Sequence, residues 1–285
     1  MKAVIFANQN GYGLQKDTEV LLSVLEGHDV TVTPASREVK GRFDVAFHVE
    51  HLMARNLSCA EMNIAVPNPE WLSRAMGHTL KRCDMAIAKT QDCHRILSQH
   101  FPSVKTYFTG WTTPDVHTNE PRERSIVHVA GMSPLKSTLA VVQALEALKL
   151  PATVYHGRIT ALQPPNVTFI RKRVERLPRT FSIYVQPSQY EGYGHALNEA
   201  AACGAALVTT DADPMNTFDG RYLVPTTGHH AQGYANIYHL DPTELRRQIT
   251  RAWETAPLFD QDQRDAYLRR DADFRNAFKQ LPIWN

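Results

Sequence analysis

The strongest constraint on the fold is the alternation of short apolar segments with longer amphipathic stretches along the chain. Residues 2–7, 29–33 and 43–49 are short runs rich in Val, Ile and Phe. Runs of this length are typical of strands buried on both faces of a parallel sheet, and the stretches between such runs have the period of helices. The pattern predicts an α/β fold built from βαβ units.

The pattern occurs twice and is interrupted once. Residues 112–124 contain Pro114, Pro121 and three acidic residues and have no hydrophobic period, which is typical of a linker. At roughly 150 residues per domain, a chain of 285 residues has two domains. We expect Rossmann-like domains over residues 1–118 and 124–264, with the C-terminal helix of about residues 265–285 packing back on the first.

Apolar runs and charge periodicity locate the elements. Strands are expected over residues 2–7, 29–33, 43–49, 62–67, 85–89, 104–109, 125–130, 152–155, 167–170, 181–185 and 205–210. Helices are expected over about 14–25, 92–100, 137–148, 194–203, 245–254 and 261–278. Because open parallel sheets bind ligands beyond the carboxyl ends of their strands, the loops after these strands in both halves should face one cleft.

Composition excludes several classes of protein. With 43% hydrophobic and 21% charged residues, the chain is neither disordered nor of low complexity. No apolar run approaches the roughly 20 residues of a membrane-spanning helix, and residues 1–9 lack the apolar core of a secretory signal. We expect a cytoplasmic protein, or one in the host cytoplasm if viral, that has no transmembrane contact and is a monomer or weak dimer. The four cysteines lack CxxC spacing and are interpreted as free thiols.

The most informative segment is residues 187–200, between a predicted buried strand and a predicted helix. Glu191 lies in the loop and Glu199 on the second helical turn, so both can face one ligand. Tyr193 and Gly194 offer no side-chain oxygen to cap the first helical amides. Such amides attract anions, and glycines at 192 and 194 let a diphosphate approach the backbone. The alternative is that the glycines only form a tight turn and the glutamates are solvated.

This segment resembles the E-x7-E signature of retaining GT-B glycosyltransferases, the nucleotide-sugar group that includes glycogen synthases and sucrose synthases. The resemblance covers almost the whole chain in the correct order. It extends to residues 10–13, 43–48, 86–90, 107–111 and 125–136. The resemblance implies a GT-B fold with two Rossmann-like domains whose parallel sheets face across a cleft.

The resemblance also implies roles for individual residues. Glu199 would bind the ribose hydroxyls of a nucleotide, and Glu191 would contact hydroxyls of the donor sugar. Lys136 would hold the diphosphate together with the amides that follow Gly194, namely those of His195, Ala196 and Leu197. His48 would lie near the reacting side of the sugar; its alternative is a packed histidine at a strand end, and that of Lys136 is a solvated lysine.

Glycine loops complete the implied donor site. Gly131 and Ser133 fall in the family's phosphate loop, and Gly11 and Gly13 in its first glycine loop. The family usually has an arginine directly after the loop glycine, whereas this chain has Met132. Arg158 is a possible substitute, and an ordinary surface arginine is an equal alternative.

The negative charge that develops on a leaving diphosphate indicates which groups the reaction needs. Breaking a sugar–phosphate bond leaves negative charge on the diphosphate, which a helix terminus and a lysine can stabilise without a metal. The Asp-x-Asp pairs at 211–213 and 271–273 lie in unconvincing places, so we expect a metal-independent reaction with no cofactor. The resemblance implies retention of the anomeric configuration. UDP and glucose are the favoured nucleotide and sugar from family frequency.

The acceptor is less constrained. We expect a soluble hydroxyl acceptor, because no basic amphipathic helix with aromatic anchors favours a lipid. Glu70, Trp71 and Tyr12 are candidate acceptor contacts, and a turn with a buried tryptophan is an equal interpretation of the first two. A glycan or a small molecule is the alternative to nucleic acid.

Hydroxymethylated pyrimidine DNA is a concrete acceptor hypothesis, since compact transferases of this type modify such bases in bacteriophages. Basic residues could contact DNA or form a solvated surface; they are Arg171, Lys172, Arg173, Arg176 and Arg179, with Arg37, Lys40 and Arg42 elsewhere. The net charge of +2 does not decide between these interpretations.

Other classes remain. A non-catalytic nucleotide-sugar-binding protein would keep Glu199 and the helix amides but could lose Glu191, Lys136 and His48. A Rossmann dehydrogenase is disfavoured because no G-x-G-x-x-G follows the first strand.

Overall fold

The structure is a computed structural model that describes residues 1–8, 13–39, 41–156, 162–170 and 180–284. The chain divides into two compact units. The first unit comprises Met1–Pro114, Ala231–Ala235 and Arg270–Asn285, and the second comprises Asp115–His230 and Asn236–Arg269.

The first unit is a parallel sheet with helices in its connections. The strands are β1 (Lys2–Phe6), β2 (Asp29–Thr33), β3 (Phe43–Val49), β4 (Ala60–Val66), β5 (Met85–Ala88) and β6 (Lys105–Phe108). The helices are α1 (Gly13–Val24), α2 (Arg74–Leu80) and α3 (Gln91–His100). The strand order is β2-β1-β3-β4-β5-β6, so the order reverses between β1 and β3.

The second unit repeats this architecture. Its strands are β7 (Glu123–Gly131), β8 (Ala152–His156), β9 (Val167–Ile170), β10 (Phe181–Gln186), β11 (Ala206–Thr210) and β12 (Tyr222–Val224). Its helices are α4 (Thr138–Leu148), α5 (His195–Ala202) and α6 (Pro242–Thr255). The strand order is β12-β11-β10-β7-β8-β9, and all five pairs are parallel.

Two further elements include residues of both units. A hairpin of β13 (Thr226–Gln232) and β14 (Ala235–Leu240) has residues 231–235 of the first unit at its turn. The last helix, α7 (Gln261–Lys279), begins in the second unit and ends in the first.

The central strands of both sheets are buried, as their apolar runs predict, whereas the edge strands β2 and β6 are partly exposed. Residues 3–6 of β1 and all of β11 are buried, as is typical of strands in a parallel sheet between layers of helices. In the second unit the core joins Ile126, Val185 and Val208 of the sheet to Leu145 of α4 and Ile249 of α6. The predicted α/β class is therefore confirmed.

The element boundaries show where sequence patterns were insufficient. The predicted strands and helices form, with ends shifted by up to three residues. Helix α2, strand β12 and the hairpin were missed. Strand β13 reads Thr-Thr-Gly-His-His-Ala-Gln and contains none of the Val, Ile or Phe residues that identified the others.

The predicted linker begins inside the first unit. Trp111 is 2% exposed and its ring lies 5.0 Å from that of Phe274. The hydroxyl of Thr112 donates a hydrogen bond to Asp271 over 2.9 Å. At its other end the linker is shortened by β7, which begins at Glu123. Burial of the indole therefore ties the start of this segment to the C-terminal helix.

The four cysteines are buried free thiols, as predicted. Within the described part of the chain, every helix is too short or too polar to cross a bilayer.

Candidate functional site

The carboxyl edge of the second sheet brings two predicted loops together. Strands β7 and β10 are neighbours, and β7 continues to β8 on one side while β10 continues to β11 on the other. Such a reversal opens a crevice beyond the strand ends, where α/β proteins bind ligands. The loop after β7 carries Ser133 and Lys136, and the loop after β10 carries Glu191.

The loop after β7 is shaped by a glycine in a left-handed conformation. Gly131 has φ +58°, and a Cβ added there would meet nothing within 4 Å, so open space lies beside the backbone. The Ser133 hydroxyl accepts a hydrogen bond from the Leu135 amide at 3.2 Å, which starts the short helical turn that carries Lys136. The Leu135 carbonyl accepts from the Gln189 amide at 2.7 Å and thereby joins the two loops.

Lys136 and Glu191 meet directly. The Lys136 ammonium group forms an ion pair with Oε1 of Glu191, and the two side chains are 16% and 11% exposed. The Ser188 hydroxyl donates to the same oxygen at 2.6 Å. The structure thus holds a cation and a carboxylate, both partly accessible, at the edge of the reversal point.

The start of α5 has the backbone geometry expected of an anion site. Gly194 precedes the helix with φ +99° and provides no side-chain cap, whereas Thr90 and Asp241 cap α3 and α6 with side-chain oxygens. An added Cβ at Gly194 would lie 2.6 Å from Cδ1 of Leu197, so no larger residue fits without a shift.

One predicted amide donor is already engaged. The Leu197 amide donates to the Gly194 carbonyl at 2.9 Å, and the Asn198 amide donates to the same oxygen at 3.1 Å. The tight first turn of the helix accounts for this contact, because its backbone bonds span three as well as four residues. The prediction that Leu197 offers its amide to a ligand is therefore wrong in this structure.

Glu199 lies deeper than Glu191. It is 2% exposed on the second turn of α5. Burial, and then the nearby Cys203 and Glu199, raise the pKa of the Tyr184 phenol on β10 well above its ordinary value. The carboxylate of Glu199 is thus close to Tyr184 and is enclosed by protein in this structure.

His48 lies in the core of the first unit. The side chain has no exposed surface, its ring stacks on Phe6 with centroids 5.1 Å apart, and its Nε2 lies 3.0 Å from Oδ1 of Asn63. Burial lowers the pKa of this imidazole, and the Asn63 contact only partly offsets that effect. In this structure the His48 ring is therefore enclosed by protein, and its role near the donor sugar stays a prediction.

Of the two candidate acceptor residues that the structure describes, one is buried and the other is exposed. Glu70 and Trp71 belong to a single helical turn, Pro69–Trp71, after β4; Glu70 is 6% exposed and Trp71 is 40% exposed. The hairpin packs against this turn, because the Tyr234 amide donates to the Pro69 carbonyl at 3.0 Å. A Cβ on Gly233 would lie 2.6 Å from that carbonyl oxygen. The tryptophan of this turn is thus not buried.

Several predicted residues lie outside the described residues. They are Gly11, Tyr12, Lys40, Arg158 and the basic cluster Arg171, Lys172, Arg173, Arg176 and Arg179. Gly13 is described as the first residue of α1. Of the other basic residues, Arg37 is exposed and Arg42 forms an exposed ion pair with Glu61 at 2.9 Å.

Two features of the sheet edges have no clear signal in the sequence. The Ser188 hydroxyl donates a hydrogen bond to Glu191. The Pro187-Ser188 dipeptide, three residues ahead of that glutamate, gives no chemical signal of this contact. Glu50 has φ +61°, and its carboxylate accepts a 2.6 Å hydrogen bond from the Asn68 amide group. A positive φ at glutamate has no sequence signature.

Among the described residues, no group of three or more His, Cys, Asp or Glu side chains is arranged to hold a metal ion.

A family model matches a little over half of the chain. The model described as glycosyl transferases group 1 matches residues 91–240, just over half of the 285 residues. The match includes the loop after β7, Lys136 and the whole segment from Ser188 to Glu199. No curated protein matches the chain in sequence.

Solved structures show the same fold at low identity. Anabaena Alr3699/HepE in complex with UDP and glucose matches with a TM-score of 0.68 and 14% identity, covering 98% of both chains. WaaG, a glycosyltransferase involved in lipopolysaccharide biosynthesis, matches with a TM-score of 0.57 and 12% identity, covering 100% of this chain and 96% of that one. These likenesses confirm the GT-B fold class.

Other similar structures are longer. The GtfA/B complex matches with a TM-score of 0.60 and 17% identity over 85% of this chain and 57% of its own. The chain therefore spans little more than half the length of that protein.

Proposed function

Because the chain belongs to the group 1 glycosyl transferases, we propose that it moves a hexose from a nucleotide-diphosphate sugar to a hydroxyl acceptor. UDP-glucose is the favoured donor. The observation that carries the proposal is the ion pair of Lys136 and Glu191 at the reversal point of the second sheet. This pair lies next to the start of α5, where Gly194 provides no side-chain cap.

Three groups in the second unit bind the three parts of the donor, which are the diphosphate, the sugar and the ribose. Lys136 and the amides of His195 and Ala196 bind the diphosphate, since a helix start and a lysine both favour negative charge. Glu191 binds hydroxyl groups of the sugar, and Glu199 binds those of the ribose. Glu199 is 2% exposed, so its contact with ribose requires a small opening around α5.

The same residues can assist bond cleavage. When the bond between the anomeric carbon and the phosphate oxygen breaks, the electron pair stays on the diphosphate. A fixed cation and fixed amide dipoles stabilise that charge without reorganising. We propose that the reaction needs no metal and no cofactor and retains the anomeric configuration, with the acceptor attacking the face from which the diphosphate departs.

The acceptor proposal is a soluble hydroxyl compound, with hydroxymethylated DNA as one arm of the test. HepE was solved with UDP and glucose. A mutant of S. aureus TarM, which matches this chain with a TM-score of 0.59 and 13% identity, was solved with Fondaparinux, alpha-GlcNAc-glycerol and UDP. Those ligands make glycans and small polyols the matched alternatives to DNA. Product mass spectrometry with each acceptor class decides among them.

The test of the proposal is release of UDP from UDP-glucose, first without acceptor and then with each acceptor class. Wild-type protein should release UDP slowly in water and faster with the correct acceptor. The Lys136→Ala variant should lose this activity, while Lys149→Ala, which changes an exposed lysine of the same unit, should keep it.

A non-catalytic nucleotide-sugar-binding protein is the competing class. It would show ligand-induced thermal stabilisation with no UDP release under any condition. Absence of both binding and release for all nucleotide sugars would remove the proposal itself.

A further inference from the structure

Ser188 is a buried residue next to the proposed sugar-binding carboxylate. It has no exposed surface, and its hydroxyl donates a 2.6 Å hydrogen bond to Oε1 of Glu191. The Lys136 ammonium group contacts the same oxygen. One carboxylate oxygen of Glu191 therefore receives both a hydroxyl and a cation.

The neighbouring strand β11 fixes the backbone on which Ser188 sits. The Thr210 hydroxyl donates to the Ser188 carbonyl at 2.6 Å, and the Thr209 hydroxyl donates to the Gln186 carbonyl at 3.0 Å. Both threonines are fully buried. The Ser188 amide donates to the Gln186 carbonyl at 2.9 Å, so hydrogen bonds hold both the amide and the carbonyl of the serine.

The two contacts on Glu191 differ in what donor binding does to them. Lys136 pairs with Glu191 in this structure, and it binds the diphosphate in the proposed function. A lysine drawn towards phosphate holds the carboxylate less firmly, because its charge is shared between two anions. The Ser188 hydroxyl has a single proton and a fixed backbone, so its bond to Glu191 does not depend on where the lysine points.

We propose that Ser188 is a positioning residue that keeps the Glu191 carboxylate aimed at the donor sugar while Lys136 turns to the diphosphate. This inference rests on the proposed function and assigns the sugar-selective part of binding to the Thr210–Ser188–Glu191 chain of hydrogen bonds. Ser188 itself touches no substrate in this scheme.

A purely structural role for Ser188 makes a different prediction. If the hydroxyl only stabilised the loop, its removal would disturb the phosphate contacts as much as the sugar contacts, since both loops are joined through Gln189 and Leu135. Comparison of UDP with UDP-glucose therefore separates the two roles.

The experiment uses the full chain with three substitutions. Ser188→Ala removes the hydroxyl, and Thr210→Val removes the bond that anchors the serine carbonyl. Ser182→Ala is the matched control, because Ser182 is also fully buried, lies on β10 and donates to a backbone carbonyl, that of Ser125, at 3.3 Å. Thermal shifts with UDP and with UDP-glucose are measured for each, together with KM and kcat for UDP release.

Ser188→Ala should leave the shift with UDP unchanged and remove most of the additional shift with UDP-glucose. Its KM for UDP-glucose should rise about tenfold, because the Glu191 carboxylate loses the hydrogen bond that holds it towards the sugar. Thr210→Val should change the same quantities in the same direction by a smaller factor, and Ser182→Ala should match the wild type.

Other results overturn the inference in distinguishable ways. Equal loss of the UDP and UDP-glucose shifts in Ser188→Ala would assign the serine a loop-folding role. Wild-type values in Ser188→Ala would show that Glu191 needs no support. A wild-type protein that responds to neither ligand would instead refute the proposed function, and the inference would fall with it.

Discussion

Both six-stranded sheets reverse their strand order beside their first strand, between β1 and β3 in one unit and between β7 and β10 in the other. Near the second reversal lie a left-handed glycine, a lysine and a partly accessible carboxylate. At the first, the histidine of β3 is fully buried and stacked on Phe6 of β1. Equal topology therefore does not imply equal chemistry, because the loops and strand ends decide what a ligand can reach.

The largest expected effect comes from removing the cation of the second unit. Lys136→Ala should lower the rate of sugar transfer by about a hundredfold or more, since a charge that stabilises the departing diphosphate acts in the transition state. Measurement of kcat for UDP release tests this. A variant with near-wild-type kcat would assign charge stabilisation to another group.

Gly194→Ala should have the next largest effect. Its φ of +99° strains any larger residue, and the Leu197 side chain, 2.6 Å from an added Cβ, would have to move. A loss of about 1–3 kcal/mol in the free energy of unfolding is expected, together with loss of the thermal shift by UDP. Gly220→Ala is the control, because a Cβ there meets nothing within 4 Å. Unchanged UDP binding in Gly194→Ala would argue against an anion site at this helix.

The buried His48 of the first unit should make the stability of the folded protein depend on pH. Burial lowers its pKa in the folded protein, whereas the unfolded chain takes up the proton near pH 6.5. The unfolded state thus binds more protons below that pH, and the folded protein loses stability as the pH falls from 7 to 5, by up to about 2 kcal/mol from this residue.

Replacement of the ring tests this sign. His48→Phe should unfold at a less pH-dependent denaturant midpoint than the wild type between pH 7 and pH 5, and should keep most of its transfer activity. His229→Phe, which changes an exposed histidine of the hairpin, should keep the wild-type pH dependence. A hundredfold loss of kcat in His48→Phe with an intact fold would return this residue to the reacting centre.

The smallest effect is expected from removal of divalent metal. A chelator such as EDTA should change the rate of UDP release by less than about twofold, because Lys136 and the helix amides supply the charge stabilisation. A rate abolished by EDTA and restored by Mg²⁺ or Mn²⁺ would contradict the proposed metal independence.

Much of the fold could be predicted because apolar strands and their helices have strong periodic signals. Strands β2, β3 and β9 have the predicted boundaries. The hairpin could not be predicted in this way, because β13 contains mainly Thr, His and small residues and is largely exposed, and β14 contains a single Ile and no Val or Phe. Tertiary contacts, such as that of Tyr234 with Pro69, determine its place.

For the candidate site, sequence identified residue types but not their burial. Lys136 and Glu191 form an ion pair at the edge of the second sheet, whereas His48, which also follows an apolar strand pattern, is enclosed by Phe6 and Asn63. Whether a side chain at a strand end faces a crevice or the core depends on register and on neighbouring strands, which a single sequence does not contain.

The central claim is that the second unit binds a diphosphate with Lys136 and the start of α5. Isothermal titration calorimetry of UDP against the wild type and Lys136→Ala tests it most directly. Saturable binding by the wild type and binding weaker by about tenfold or more in the variant are expected, because the variant lacks a charge-assisted contact with the diphosphate. Equal affinities, or no binding by the wild type, would contradict this claim.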